Sequence, residues 1–326
     1  MSSNYRHVAI SISSNIATLY LDGSAISINP LKNYPSTISK LLIGSAADLS
    51  YGFTGYIDDF KIWNRALPAS DISSIYNPYT VYGITSSYIS IWLDTSIASN
   101  FVLSGSNITT WKDRSSNGFN MSKGGTIYSI YNSTSPTSVL ISASWLTNSS
   151  FNVLTSLQTW FFLISVPSVF TTDNIKIVGL QNNTLGGVDY ILTATQFSIY
   201  SHKTNNDGIY FDISPTANTK YLISVSFNMS TGSLSSALAN SIMRLNGTTQ
   251  TIKVKGLTGY STNAGTAIPI TLLIGTLQDG VVNFGSTKDF NIYEIIGINY
   301  QALGINDIRI VERYLNEKWN LGYTIT

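Results

Sequence analysis

Few residues in this chain can carry acid–base or nucleophilic chemistry. It has no cysteine, two histidines and three glutamates, Glu294, Glu312 and Glu317. Retaining cleavage of a sugar bond needs two carboxyl groups about 5 Å apart. On one strand such a pair is written as acids at alternate positions, as in Glu-x-Asp-x-Glu, and no such run occurs. His7 stands in an alternating run, where a structural role is expected. His202 stands in the polar loop Ser201–Gly208 beside Asn205, Asn206 and Asp207. A serine–histidine–aspartate relay can be drawn there, but nothing in the sequence orients its members or supplies an oxyanion site. The sequence predicts no enzymatic activity.

Binding chemistry fits the same loop better. Tyr200, His202, Asn205, Asp207 and Tyr210 set aromatic faces beside amide and carboxylate groups. That combination stacks on pyranose rings and bonds their hydroxyls, so these five are the candidate carbohydrate-binding residues. Trp92, Trp111 and Trp160 stand in strand or motif contexts and are assigned to the core. A lack of cysteine excludes disulfides, thiolate metal sites and thiol nucleophiles together. It also favours assembly in a reducing compartment or a prokaryotic origin. Eighteen Lys and Arg against seventeen acids leave a net charge of +1. Phosphate recognition needs a concentrated basic surface, so nucleic acid is not an expected partner. Charged residues are only 11% of the chain, which leaves the polar surface to Ser, Thr, Asn, Gly and Tyr.

The elements that must position these groups are strands. Residues 8–21 alternate apolar and polar around Ser13-Ser14-Asn15, and the second strand enters a turn at Asp22-Gly23. The same texture returns at Ile89–Leu93, Thr159–Val166, Lys176–Leu180, Tyr190–Tyr200, Tyr221–Phe227 and Ile268–Ile274. Period-two patterning punctuated by turn residues predicts an antiparallel sandwich or barrel. The greasy stretch from Trp160 to Phe170 is broken by Ser165, Pro167 and Ser168. It falls short of the ~20 residues that span a bilayer, and it is read as a buried strand. The first residues show no apolar signal core, and no membrane insertion is expected.

An internal repeat organises the chain. Leu21-Asp22-Gly23 returns as Leu245-Asn246-Gly247, and Leu41-Leu42-Ile43-Gly44 as Leu272-Leu273-Ile274-Gly275. Ala66-Leu67 with Asp71-Ile72 returns as Ala302-Leu303 with Asp307-Ile308. Three matches in one order mean two copies of one unit with loop insertions. Each copy closes on a short helix. The first starts near Pro68 and shares a face of Ile72, Ile75 and Tyr76. The second is capped by Asn306 or Asp307 and carries Ile308, Val311, Leu315 and Trp319 on one side. The boundary falls at Asn77-Pro78. Residues 1–77 correspond only to the back half of residues 78–326. Three explanations stand open: a fragment, a minimal domain, or a domain whose missing strands another polypeptide supplies through an open edge.

A family resemblance rests on these residues. Residues 5–23, from Tyr5-Arg6-His7-Val8-Ala9 to Leu19-Tyr20-Leu21-Asp22-Gly23, resemble the strand pair of laminin-G-like domains that ends in an Asp-Gly turn. Phe53-Thr54-Gly55-Tyr56-Ile57-Asp58-Asp59-Phe60-Lys61-Ile62-Trp63, continued through Asn64-Arg65-Ala66-Leu67 to Tyr76, resembles that family's closing signature. In the second copy Ile91-Trp92-Leu93-Asp94 and the run from Trp111 to Gly118 resemble the opening of related lectin-like domains. Glu294-Ile295-Ile296 through Tyr314-Leu315 and Trp319 resemble their close. The resemblance fades across residues 130–270, and Glu294 stands where the first copy has Asp58.

The resemblance implies an all-β fold, an antiparallel jelly-roll sandwich of the concanavalin A-like type with short C-terminal helices. Residues 1–77 would be the C-terminal half of a laminin-G-like domain and 78–326 a complete concanavalin A-like jelly-roll domain. It also implies a structural Ca²⁺ with Asp58 as its carboxylate; the competing reading has Asp58 cap a turn or pair with Arg65. Asp113 with Asn117-Gly118 is assigned to a turn. Tandem domains of this kind occur in secreted adhesins, phage structural proteins and structural proteins of large DNA viruses. Composition favours a virion or particle-surface component, virion-exposed or extracellular, and the lectin-like resemblance implies glycans or coat proteins as its partners. The alternative is a secreted adhesin or a non-catalytic module of a polysaccharide-degrading enzyme.

Overall fold

The computed structural model describes residues 6–30, 41–45, 52–55, 57, 60–76, 88–153, 157–167, 174–182, 186–201, 208–228, 240–255, 268–279, 282–285, 289–299 and 301–326. Its contacts divide the chain into two compact units, Met1–Tyr82 and Gly83–Thr326.

Unit 1 has strands β1 (Val8–Ser13), β2 (Ile16–Leu21) and β3 (Ser24–Pro30), paired antiparallel in that order. Both turns hold two residues at positive φ, Ser14-Asn15 (50° and 62°) and Asp22-Gly23 (49° and 77°). Such turns match the right-handed twist of the strands they join, and Asn, Asp and Gly tolerate them best. Asp22 also ties the turn to the far end of β1. Its Oδ1 accepts the His7 N–H at 3.0 Å, and its own N–H donates to the His7 carbonyl at 2.8 Å. Helix α1 (Ala69–Tyr76) starts on the Pro68 carbonyl, which accepts the N–H groups of Asp71 and Ile72. It belongs to a small core of Tyr20, Leu67 and Ile72, with Ala9 and Ile75 alongside. Ser11 Oγ donates to the Leu67 carbonyl at 2.8 Å.

Unit 2 opens with β4 (Ile89–Asp94), β5 (Phe101–Ser104), β6 (Asn107–Trp111), β7 (Met121–Lys123), β8 (Ile130–Asn132) and β9 (Ser138–Ile141). Its middle holds β10 (Leu146–Val153), β11 (Leu157–Ser165), β12 (Asn174–Asn182), β13 (Gly186–Thr193), β14 (Gln196–Ser201) and β15 (Gly208–Asp212). Then come β16 (Lys220–Asn228), β17 (Ile242–Leu245), β18 (Thr248–Thr249), β19 (Lys253–Lys255) and β20 (Ile268–Ile274). Strands β21 (Thr276–Asp279), β22 (Val282–Gly285) and β23 (Phe290–Asn299) close the set, and helix α2 (Ile305–Lys318) comes last. The strands pair antiparallel. One layer runs β18-β17-β16-β11-β23-β4. The other runs β7-β10-β20-β12-β13-β14-β15-β19.

The two layers share one core, which makes unit 2 a sandwich. Trp160 and Phe162 of β11 meet Tyr190 of β13 at centroid distances of 5.8 and 5.4 Å, and Phe162 meets Phe197 of β14 at 6.3 Å. One polar group joins the layers inside this core: Gln158 Oε1 accepts both the Trp160 indole N–H (2.8 Å) and the Tyr190 hydroxyl (3.0 Å). Gly297 of β23 sits opposite Trp160, and a Cβ there would come within 2.7 Å of the indole. Trp92, Trp111 and Trp160 are all buried, as the sequence predicts. Ile308, Val311 and Leu315 of α2 are buried as well. The predicted cap differs: α2 begins after Gly304 with no side-chain cap, and Asn306 and Asp307 fall inside its first turn. Among the described residues no helix is long and apolar enough to cross a membrane.

Unit 2 reproduces the turn of unit 1. Asn246 and Gly247 have φ of 50° and 82°. Asn246 Oδ1 accepts the Leu222 N–H at 2.9 Å, and Asn246 N–H donates to the Leu222 carbonyl at 2.8 Å. The register is the same: Val8 faces Leu21 and Ile10 faces Leu19, while Ile223 faces Leu245 and Val225 faces Met243. Both turn glycines lie against chain that follows the closing helix or ends it. A Cβ on Gly23 would meet Tyr76 at 2.8 Å, and one on Gly247 would meet Ile325 at 2.6 Å.

Candidate functional site

Strands β13, β14, β15 and β19 lie side by side, and side chains alternate between the core and the opposite face. Phe197, Ile199, Ile209 and Phe211 point into the core. The outward residues then form rows across the strands. One row is Asp189, Tyr200, Gly208 and Lys255; the next is Ile191, Ser198, Tyr210 and Lys253. Gln196 and Asp212 oppose one another at the end of the face. Two of the sequence-predicted residues, Tyr200 and Tyr210, thus come together on neighbouring strands, both half-buried. His202, Asn205 and Asp207 lie outside the described residues.

The Tyr200 ring is held from several sides. Its hydroxyl accepts from Gln196 Nε2 at 2.8 Å and from Lys255 Nζ at 3.3 Å, and that ammonium lies 5.4 Å from the ring centroid. Gly208 leaves room beneath it, since a Cβ there would reach 3.0 Å from the ring and 2.1 Å from the Ile199 carbonyl. Lys253 pairs with Asp212, and the hydrogen bond that its ammonium donates to that carboxylate raises the lysine's pKa. Lys176, on β12 opposite Ile191, is shifted the other way: burial lowers its pKa, against the pull of Asp189. Ser198 is fully buried in the middle row, and its hydroxyl finds no partner among the described residues. The face therefore offers two rings, two ammonium groups, a carboxylate and an amide on one flat support. Gln196, Lys253 and Lys255 escape the sequence reading. The alternating Lys253-x-Lys255 pattern, which places both on one face of a strand, was the available signal.

A second polar constellation lies under α2. Asp94 of β4 and Glu294 of β23 face one another in register. Lys318 Nζ sits 2.8 Å from Asp94 Oδ2 and 2.8 Å from Glu294 Oε2. Glu294 also accepts the indole N–H groups of Trp92 (2.7 Å) and Trp319 (2.6 Å) and the Tyr314 hydroxyl (3.3 Å). Asp94 accepts Ser96 and pairs with Arg114, whose guanidinium lies 4.1 Å over Trp92. Burial pushes the Glu294 carboxyl up, against Lys318. Burial also acts to raise Asp94, but the Lys318 charge, hydrogen bonds from Lys318 and Ser96, and Arg114 outweigh it and hold that carboxyl low. These carboxylates are adjacent, as a glycosidase pair would be, yet both side chains are fully buried and bonded to cations and indoles. The pair escapes a search along single strands because it forms across two of them, 200 residues apart in sequence.

In the sequence repeat Glu294 stands where the first copy has Asp58. A carboxylate enclosed by an ammonium and two N–H donors does not fit a Ca²⁺ site, which needs six to eight oxygens. Asp58 itself lies outside the described residues, and Arg65 pairs with Asp71 at 3.2 Å. Asp113 is a turn residue: its carboxylate accepts the N–H groups of Trp92, Ser115 and Phe119. Among the described residues no group of three or more His, Cys, Asp or Glu could hold a metal ion.

Residues 1–73 match the family model Laminin_G_3 of the concanavalin A-like lectin/glucanases superfamily. No curated protein matches the chain. Among solved structures, the binding domain of botulinum neurotoxin DC in complex with rat synaptotagmin II is similar over 71% of this chain and 52% of its own, at 13% identity and a TM-score of 0.47. A structure of botulinum neurotoxin type C, whose cell entry is described as dependent upon interaction with two ganglioside molecules, is similar over 73% and 52%, at 14% identity and 0.47. An S-layer domain-containing protein from Clostridium thermocellum ATCC 27405 is similar over 24% and 41%, at 29% identity and 0.21. The chain spans about half the length of the neurotoxin chains it is similar to.

Proposed function

We propose that this protein is a non-catalytic binding module whose unit 2 takes glycans on the β14–β15–β19 face. The observation that carries the reading is the placing of Tyr200 and Tyr210 on one sheet face with Lys253, Lys255, Gln196 and Asp212. Two rings on a rigid support stack on sugar faces, and the amide, ammonium and carboxylate groups meet hydroxyls at low ordering cost. The state of the Asp94–Glu294 pair supports the absence of catalysis. Acid–base work on a sugar needs a carboxyl that reaches substrate, and both of these are enclosed.

Display on a virion or other particle, beside coat proteins, is the biological setting we assign to the module. A cysteine-free surface built from Ser, Thr, Asn and Tyr supports that setting. Glycan-array binding by the full chain tests the module. Tyr200→Ala and Tyr210→Ala are each expected to weaken the best-bound glycan at least tenfold, with the fold intact. No glycan bound, or binding indifferent to both changes, would overturn the reading. Release of reducing ends from mixed polysaccharides would show an enzyme instead.

A further inference from the structure

The common register of the two units lets β1 be compared with β16 residue by residue. Val8, Ile10 and Ile12 of β1 correspond to Ile223, Val225 and Phe227 of β16, because His7 and Leu222 make the same paired bonds to Asp22 and Asn246. In unit 2 all three are 0% exposed, whereas in unit 1 they are 61%, 63% and 37% exposed. The opposite faces do not differ in this way. Tyr20 and its counterpart Arg244 are both buried, Tyr20 in the core that includes Ile72 of α1 and Arg244 against Glu312 of α2.

In unit 2 the face of β16 is buried by the second layer, and both edges of β16 are filled by neighbours in its own sheet. β16 is flanked on one edge by β17, as β1 is by β2, and on the other by β11 over nine residue pairs. There Trp160 stands opposite Val225 and Phe162 opposite Ile223, both rings turned into the core. Among the described residues β1 pairs with β2 alone. An unpaired edge beside a bare apolar face is the arrangement that accepts an added strand.

We infer that β1 takes up an added antiparallel strand that carries large apolar side chains at alternate positions. Main-chain bonds to Val8–Ser13 would give the affinity, and the alternate rings, set beside Val8 and Ile10 as Phe162 and Trp160 stand beside Ile223 and Val225, would give the choice of partner. This surface belongs to unit 1 and the glycan face to unit 2, so either reading can fail alone.

The probe is a lysine-flanked peptide with the sequence of residues 157–166, added to the full chain. Amide hydrogen exchange at Val8–Ser13 is expected to slow at least tenfold on saturation. Ile10→Thr should weaken binding at least tenfold, and N-methylation of alternate peptide amides on the edge facing β1 should abolish it. Scrambling the peptide to break its alternation should do the same. Unchanged exchange at Val8–Ser13 would overturn the inference. So would binding that survives N-methylation, which would mark apolar adsorption. A third contrary result is exchange at β1 that matches β16 before any peptide is added, since the edge would then already be occupied.

Discussion

The hairpins β1–β2 and β16–β17 carry one local design in two surroundings. Each closes an Asx-Gly turn whose side chain reaches back to the start of the first strand, and each holds the same register. In unit 2 the chain leaves β17 after two residues of β18, and then joins the other layer through β19. In unit 1 β3 stays beside β2 for its whole length, and Ile26 and Ile28 remain exposed. The turn and the register are thus set by nearby residues, while burial is set by a second layer that can come from anywhere in sequence. Apolar alternation marks a face that wants covering and says nothing about what covers it.

The comparison is sharpest where burial differs most. Phe227→Ala should cost unit 2 about 3–5 kcal/mol, the range for a buried aromatic truncation. Its counterpart Ile12→Ala should change stability by less than about 0.5 kcal/mol, as exposed substitutions do. Urea unfolding of both variants checks this, and similar losses would mean that the face of β1 is already covered. The opposite face gives the next effect. Arg244 and Glu312 form a fully buried pair at 2.9 Å, and removing one partner of such a pair costs about 3–5 kcal/mol because the other charge is left alone. Glu312→Ala should show that loss in the same assay. Where the two units agree, the effects should agree. Asp22→Ala and Asn246→Ala each leave a backbone N–H without its side-chain acceptor, and each should cost about 1 kcal/mol, read from local hydrogen exchange.

The smallest effect is one of slope. The folded Glu294 carboxyl titrates above its ordinary value of 4.5. Its stabilising contribution is therefore present below that value and lost as pH rises through the raised one. Asp94 behaves oppositely: held below 3.8, it stabilises above that value and loses its contribution as pH falls through the depressed one. Glu294→Gln should flatten the stability curve above pH 4.5 and leave the acid limb below 3.8 in place. Thermal melts across that range would show it, and an unchanged slope above 4.5 would mean that Glu294 ionises as freely folded as unfolded.

Much of this architecture is written locally. Alternation finds β1, β2, β11 and β16, the Asp-Gly and Asn-Gly pairs find the turns, and three-to-four spacing finds the buried side of α2. The cap of α2 is misread because Asn306 and Asp307 are good capping residues by type, while the backbone at Gly304 already supplies the extended entry. The Tyr200 and Tyr210 pairing is legible as a neighbourhood but not as a face, since a face needs the strand pairing that adds Lys253 and Lys255. The Asp94–Glu294–Lys318 cluster is not legible at all. Its members come from the first strand of unit 2, the last strand and the last helix, and no spacing rule connects them.

That cluster sets an order of events for the ribosome. Trp92 is joined to Glu294 and Asp94 to Lys318 across more than 200 positions, and β11 has β16 and β23 as neighbours, both made later. At a translation rate of ~5–20 residues per second, the early strands wait on the order of ten seconds or more before their closing neighbours emerge. Through that interval Trp160, Phe162 and their flanking residues are a nascent apolar strand that gains β16 first and β23 only later, and its second edge stays open until β23 has been made.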